Sequence, residues 1–422
     1  MKKIKNGSFF RNLGPGISTG ASDDDPSGIL TYLQAGAVMK YGALWVALIT
    51  LPLMYAVQEM CGRIGFVTGK GLSAIIKKRY PKVVLFIIAS LCIIAITINI
   101  GADLLAVGVS LEGLSGISRM LWIPIVSVVI VFSTVFLSYR RFSQVLKWLA
   151  FSLLFYVASV FFMKVDWSAA LIATILPTFD FSAKAIMLLT AVLGTTISPY
   201  LFFWQTNEEA EERESIASDH PLRKFIVTKK ELGGIRADTF VGMAFSNIVM
   251  WFIILGASRL SQLYGVGEIT SFDQAASVLR PILGNFAYLI FTLGIIGTGL
   301  LAIPVLAGSV GYVVAEVFKW KEGINRKLSE ARGFYIAIAA ATFGGVVIAS
   351  VGIDPIALLI YTAVFYAIIT PPLIFMIIRM GNDRKLMGNR TNSPLSNILG
   401  VAALALTTAA VAAYALSWFG II

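Results

Sequence analysis

Asp23, Asp24 and Asp25 stand side by side and run into Pro26, Ser27 and Gly28. Three adjacent carboxylates could gather cations, carry protons or, with a further aspartate, activate water. Their surroundings narrow the choice. They lie inside a hydrophobic stretch of roughly residues 13–38, and a charge at the centre of a bilayer costs at least ~3 kcal/mol. Proline removes a backbone donor and glycine weakens a helix. Non-helical backbone at membrane depth persists only where protein covers it or where it lines a watery cavity. The stretch therefore reads as a helix broken around a polar site. A carboxylate beside unwound carbonyls is the hard-oxygen set that Mg²⁺, Ca²⁺ and Mn²⁺ prefer, and Asp25 is its principal candidate. Asp23, Asp24 and Asp25 cannot all be dry and ionised together, so either the cavity is wet and draws cations or some of them hold protons. Other polar residues within apolar stretches are Gln58, Glu59, Asn99, Asp103, the run Thr195 to Ser198, and Gln205. Glu59 and Asp103 could equally be structural, Glu59 as the partner of Arg63.

The elements that must position these residues follow from composition. The chain has 422 residues, of which 57% are hydrophobic and 14% charged, against ~25% charged in soluble domains. Mean hydropathy is +0.82. This is the signature of an all-α integral membrane protein, one transmembrane domain over residues 1–422. Hydropathy and breaker residues predict about eleven spans, near 13–38, 43–65, 83–108, 120–138, 145–163, 183–205, 240–260, 284–317, 334–353, 356–378 and 396–419. The basic start lacks a following cleavable apolar region, so no removable signal peptide is expected. Cys61 and Cys92 sit in apolar surroundings and read as packing thiols, not a disulfide.

Net charge is +11, and its distribution decides what that means. With the N-terminus in the cytoplasm, about 28 of the 34 basic residues fall on the cytoplasmic side, starting with Lys2, Lys3, Lys5 and Arg11. The opposite side holds only Lys40, Arg119, Lys164, Lys184, Arg259 and Arg280. The excess sets orientation, with the C-terminus outside, and is no nucleic-acid footprint. The longest polar insert, 207–236, reads as a cytoplasmic connector whose start, Glu208 to Arg213, is a solvated helix end. The lone histidine, His220, lies in it.

A second break is expected in the sixth span, where Gly194-Thr195-Thr196-Ile197-Ser198-Pro199-Tyr200 again places proline after a polar residue. Spans 1 and 6 are equivalent if spans 1–5 (about 13–163) and 6–10 (about 183–378) are inverted repeats and 396–419 is an extra span. The two breaks would then meet at the midplane, where half-helix ends and freed carbonyls can coordinate an ion.

Several of these residues match a known pattern. Gly14-Pro15-Gly16, Asp25-Pro26 and Leu33-Gln34-Ala35-Gly36-Ala37 resemble the first span of the Nramp (natural resistance-associated macrophage protein) metal transporters. So do Arg63 to Leu72 after span 2, Ala102-Asp103-Leu104 with Val107-Gly108 in span 3, and Gly294 to Gly297 in span 8. The resemblance covers most of the chain. It implies a LeuT-type inverted-repeat fold with broken helices 1 and 6, and transport of divalent transition metals, usually with protons. Departures from the pattern matter as much. Where the family has Asp-Pro-Gly-Asn this chain has Asp25-Pro26-Ser27-Gly28, and where it has Met-Pro-His this chain has Ser198-Pro199-Tyr200. The second histidine position of span 6 is Gln205, and a span-3 glutamate position is Ala106. Losing the soft thioether and an asparagine side chain leaves a wide, all-oxygen site, suited to a partly hydrated Mg²⁺. The pattern is similar to that of the prokaryotic Nramp-related magnesium transporters.

The resemblance implies Asp25 as the direct or water-bridged ligand, supported by Ser198 and by carbonyls near Ser22 and Thr195. Gly28, Asp24, Thr196, Gln205, Asp103, Glu59 and Asn99 would line the cavity or stand behind it. The expected function is entry of Mg²⁺, with Mn²⁺ accepted, across a prokaryotic plasma membrane and without proton coupling. The ion is cargo; no resident cofactor and no obligate protein partner is expected beyond the lipid bilayer. The alternatives are proton-coupled Mn²⁺ or Fe²⁺ import and a Na⁺-coupled small-solute symporter of the same fold, although Asp25 would repel a carboxylate solute. An enzyme is not expected. An intramembrane aspartyl protease would want Gly-x-Gly-Asp, and Ile100-Gly101-Ala102-Asp103 has one glycine. A sensor would want a soluble domain, and direct ATP driving a Gly-x4-Gly-Lys-Ser/Thr loop.

Overall fold

The computed structural model describes residues 14–136, 153–178, 180–218 and 227–421. Among them there is helix and no strand. The longer helices are α1 (Pro15–Asp23), α2 (Pro26–Met39), α3 (Leu44–Thr68), α4 (Leu72–Arg79), α5 (Lys82–Ser115), α6 (Arg119–Phe136), α7 (Leu154–Phe161), α8 (Trp167–Ile175), α9 (Ala183–Thr196), α10 (Pro199–Ser218), α11 (Lys229–Tyr264), α12 (Ala287–Phe318), α13 (Arg332–Ala349), α14 (Pro355–Gly381) and α15 (Pro394–Trp418). Nine helical stretches among the described residues are long and apolar enough to cross a membrane. One of them, Pro26–Thr68, contains both α2 and α3. Residues 145–152 of the expected fifth span lie outside the described residues, as does His220, and the rest of that span holds α7.

The stretch Ala183–Ala217 is the most enclosed of the nine and Pro394–Trp418 the least. α9 and α10 therefore sit inside the bundle and α15 at its outside. Outer helices show apolar side chains outward, such as Val128 and Phe132 on α6 and Ile336 and Phe343 on α13. Lipid contacts them at no solvation cost, which an aqueous surface would not allow.

α1 and α2 pack along α11, while α9 packs on α14 and α5 on α12. The α1–α11 contact is backbone against backbone. A Cβ at Gly20 would overlap the Gly242 carbonyl, and one at Gly242 would overlap that of Gly16. Small residues four apart, Gly16 and Gly20, allow this approach. At the start of α1 the Asp238 carboxylate accepts from the amides of Gly14 (3.2 Å), Gly16 (2.6 Å) and Ile17 (3.3 Å). Those donors have no partner within the helix, so an anion there caps α1 from another element. Asp238→Ala should lower stability by about 1–2 kcal/mol. Thermal unfolding in detergent would register that loss, and a cysteine at Thr19 should then react faster with a thiol reagent supplied from the α1 N-terminal side.

The polar insert differs from expectation. α10 continues to Ser218, and α11 already starts at Lys229, behind a capping box of Thr228 and Glu231. The run Glu208 to Ser215 is rich in good helix formers and simply extends the span. Nor is its start solvated, since Glu209 is only 1% exposed.

Candidate functional site

The break in the first span is built by Asp25 and Pro26. α1 ends on Asp24 at φ −83°, ψ 57°, and Asp25 is extended at φ −71°, ψ 169°. Asp25 is the N-cap of α2: its Oδ1 accepts from the Gly28 amide at 2.7 Å, with Pro26 in the first helical position. That is the favoured order for a helix start. Its Oδ2 accepts from Asn99 Nδ2 at 2.9 Å. A carboxylate has about four lone-pair positions, so Asp25 is fixed by two bonds and keeps capacity for an ion.

In the other broken span, α9 ends at Thr196, and Ile197 leaves the helix at φ −110°, ψ 68°. Pro199 starts α10. The freed carbonyl of Ile197 accepts from Thr370 Oγ1 at 3.0 Å. Ser198 Oγ donates to the carbonyls of Gly194 (3.1 Å) and Thr195, leaving its oxygen lone pairs as acceptors. Tyr200 Oη donates to the Ser22 carbonyl at 2.7 Å, tying the end of α1 to the start of α10. Of the expected carbonyl ligands, those of Ser22 and Thr195 thus already receive one hydrogen bond each.

The two breaks face each other across Gly28. A Cβ at Gly28 would meet Asp23 O at 3.3 Å, Thr195 Oγ1 at 3.3 Å and Asp25 Oδ1 at 3.4 Å. A carbonyl, a hydroxyl and a carboxylate oxygen therefore ring the space that a side chain at this position would fill. Around this cradle the acidic groups have few donors. Ser246 Oγ serves both Asp23 Oδ2 (2.6 Å) and Asp24 Oδ1 (3.1 Å). Asp23 Oδ1, Asp24 Oδ2, Asn99 Oδ1 and both oxygens of Asp103 are buried with no donor. Asn99 and Asp103 are one turn apart on α5. None of these aspartates pairs with Lys, Arg or His among the described residues. Buried charge without a counter-charge is costly, so the site requires a cation or protons. No three metal-ligating acidic, His or Cys side chains converge tightly enough for a closed cage among the described residues. What the arrangement offers is a buried cluster of oxygens with one well-oriented carboxylate.

Thr196 faces away from the cradle oxygens in its bonding: its hydroxyl meets Tyr32 Oη at 3.3 Å and donates to Met250 Sδ at 3.5 Å. Gln205 lies farther along α10, with Nε2 at 3.4 Å from both Glu209 Oε1 and Thr239 Oγ1 and its carbonyl oxygen unpartnered. Glu59 is in a separate network. It accepts from Arg63 (2.9 and 3.1 Å) and Arg236 (3.2 Å), and Arg63 also reaches Arg390 O and Asn392. That is the structural pairing open to it from the sequence. Sequence reasoning passed over Ser246 and Met250, although the polar pair Ser246-Asn247 within the apolar α11 run was a usable signal. Cys61 and Cys92 are buried free thiols.

Comparison with known proteins bears on the family and the fold. Residues 16–417 match the family model described as natural resistance-associated macrophage protein-like. The chain is 24% identical to the divalent metal cation transporter MntH of Granulibacter bethesdensis over 95% of this chain and 87% of that protein. It is 26% identical to the MntH of Yersinia enterocolitica over 92% and 90%. In three dimensions it resembles a crystal structure of an Eremococcus coleocola manganese transporter mutant (TM-score 0.75, 14% identity, 99% and 90% covered). It also resembles the closed nucleobase-cation-symport transporter Mhp1 (TM-score 0.60, 13% identity, 96% and 93% covered), which places it in the wider fold with broken helices 1 and 6. By that match along nearly the whole chain, this multi-pass membrane protein belongs to the natural resistance-associated macrophage protein-like family.

Proposed function

We propose that this protein carries divalent metal cations into the cytoplasm by alternating access around Asp25, with Mg²⁺ as the preferred cargo and Mn²⁺ also accepted. The N-terminus and the basic loops face the cytoplasm in this reading, and residues 13–163 and 183–378 are the two repeats. The relatives named above carry divalent metal or manganese in their names, which supports the ion class. The observation that supports Mg²⁺ is the cradle over Gly28, lined by Asp23 O, Thr195 Oγ1 and Asp25 Oδ1 with no sulfur among its three nearest atoms. Mg²⁺ dehydrates reluctantly and is usually held by one or two carboxylates through retained waters.

One observation favours a second reading, a transition metal. Met250 Sδ reaches Thr196 beside the second break, so a thioether is close even though Ser198 replaces one in the span itself. The two readings part in a single competition series, with radioactive Mn²⁺ uptake into proteoliposomes challenged by Mg²⁺ or Cd²⁺. Mg²⁺ cargo predicts that Mg²⁺ competes in the native protein, that Met250→Leu changes nothing, and that Ser198→Met raises Cd²⁺ competition by ten-fold or more, since soft ligands favour soft ions. Indifference to Mg²⁺ together with a loss of Cd²⁺ competition in Met250→Leu would establish the transition-metal reading instead.

A further inference from the structure

α14 reaches the two helix breaks as a third element. A Cβ at Gly194, just before the second break, would overlap the Ala363 carbonyl and the Ala367 amide, so the backbones of α9 and α14 touch there. Thr370 Oγ1 donates to the freed Ile197 carbonyl at 3.0 Å. Ser27 Oγ, in the first turn of α2, donates to the Leu359 carbonyl at 2.9 Å. α14 is thereby fastened to both breaks, and Tyr366 lies between these fastenings.

Tyr366 is 1% exposed, and its Oη has no hydrogen-bond partner. Its ring lies 5.8 Å from that of Tyr200, tilted by 33°, and the Tyr200 hydroxyl is itself engaged by the Ser22 carbonyl at the end of α1. Asp25, Asp103 and the Asn99 side chain are close enough to act on the phenol electrostatically, yet none of them forms a hydrogen bond with it. Asn99 spends its Nδ2 on Asp25 Oδ2, and its Oδ1 has no donor. Both Asp103 oxygens are in the same position. A phenol and three acceptor oxygens thus stand unserved in the neighbourhood of Asp25.

A buried tyrosine hydroxyl usually finds a partner, and leaving one orphaned is unfavourable. Phenylalanine would pack the same ring without that penalty. The hydroxyl therefore adds nothing to the fold alone, and its use lies in something that enters the site. The neighbouring atoms define what that is. A water bound to a divalent cation turns its oxygen to the ion and donates both hydrogens. Acceptors are what stand here: Asn99 Oδ1, the Asp103 oxygens and the lone pairs of Tyr366 Oη.

We propose that Tyr366 is a specificity-determining residue: its hydroxyl, with Asn99 Oδ1, holds a water on the ion at Asp25. This rests on the reading of Asp25 as the cation ligand and names what selects among the ions it draws. A carboxylate attracts any divalent ion, whereas a group that grips a coordinated water favours an ion that enters with its water. Mg²⁺ dehydrates reluctantly and keeps several waters. An ion that sheds them more readily gains less from Tyr366.

The test is Tyr366→Phe in the purified full-length protein. Without divalent ions its unfolding midpoint should equal or exceed the native one, because the hydroxyl removed has no partner. The rise in midpoint that Mg²⁺ brings should shrink, since that rise follows the ratio of ion concentration to Kd. Mn²⁺ binding is read from loss of the sharp free-ion paramagnetic resonance signal, and Mg²⁺ binding from displacement of Mn²⁺. Tyr366→Phe should weaken Mg²⁺ by about ten-fold or more, as loss of a group behind a metal ligand typically does, and Mn²⁺ by a smaller factor. Asp25→Asn should lose both ions. If Asp25→Asn instead binds both as the native protein does, or if Mg²⁺ displaces no Mn²⁺ from the native protein, the reading of the site falls and this proposal with it. If those two controls behave as expected, three results would overturn the role of Tyr366 alone: native affinities in Tyr366→Phe, an equal loss for both ions, or a lowered midpoint without ions.

Discussion

Asp25→Asn is expected to lower Mg²⁺ and Mn²⁺ flux by more than about 100-fold, since replacing even a partner of a metal ligand typically costs 10–100-fold. The choice of asparagine matters. Asp25 serves two ends in the structure: its Oδ1 caps α2 through the Gly28 amide, and its Oδ2, which accepts one bond from Asn99, keeps lone-pair capacity for an ion. Asparagine caps a helix about as well as aspartate, whereas alanine forfeits roughly 1 kcal/mol. Asp25→Asn should therefore abolish transport at native stability, and Asp25→Ala should abolish it with a lowered unfolding midpoint. Equal flux loss with unequal stability separates ligation from architecture. Near-native uptake by the asparagine variant would show that the carboxylate charge is not what draws the ion, and the proposed site would fall with it.

The first break was legible because membrane depth leaves so few ways to place Asp23-Asp24-Asp25-Pro26. The break at Ser198-Pro199 followed from the same chemistry, and both appear where proline and polar residues coincide. Asn99 was legible as an intramembrane amide, but its bond to Asp25 Oδ2 depends on how α5 packs beside the break, which spacing alone does not give. Ser246 was hidden for a similar reason: a serine in an apolar helix usually bonds its own carbonyl one turn back, and only the docking of α1 on α11 turns it toward Asp23 and Asp24. The acidic run after Gln205 is solvated on one side only, with Glu212 exposed and Glu209 buried. The end of α12 and its following segment meet the other side through Glu211, which accepts from Tyr312 and Ile324.

Charge movement gives the last prediction. An uncoupled carrier of a divalent ion is driven by membrane potential alone, and two charges gain about 4.6 kcal/mol per 100 mV. At 1.4 kcal/mol per decade that is more than a thousand-fold accumulation at equilibrium. The proposal that protons do not travel with the metal rests on the two span-6 positions where histidines are expected from the family pattern. Tyr200 is committed through its hydroxyl to the Ser22 carbonyl, and Gln205 carries an amide that does not titrate. Asp23 and Asp24 share the Ser246 hydroxyl as their donor. In proteoliposomes clamped with K⁺ and valinomycin, Mg²⁺ accumulation should follow the potential with that slope, and a luminal pH dye should stay flat during uptake. Luminal acidification that depends on Mg²⁺ or Mn²⁺ and disappears in Asp25→Asn would show instead that the surplus aspartates around the cradle discharge protons with each ion, and the uncoupled mechanism would be wrong.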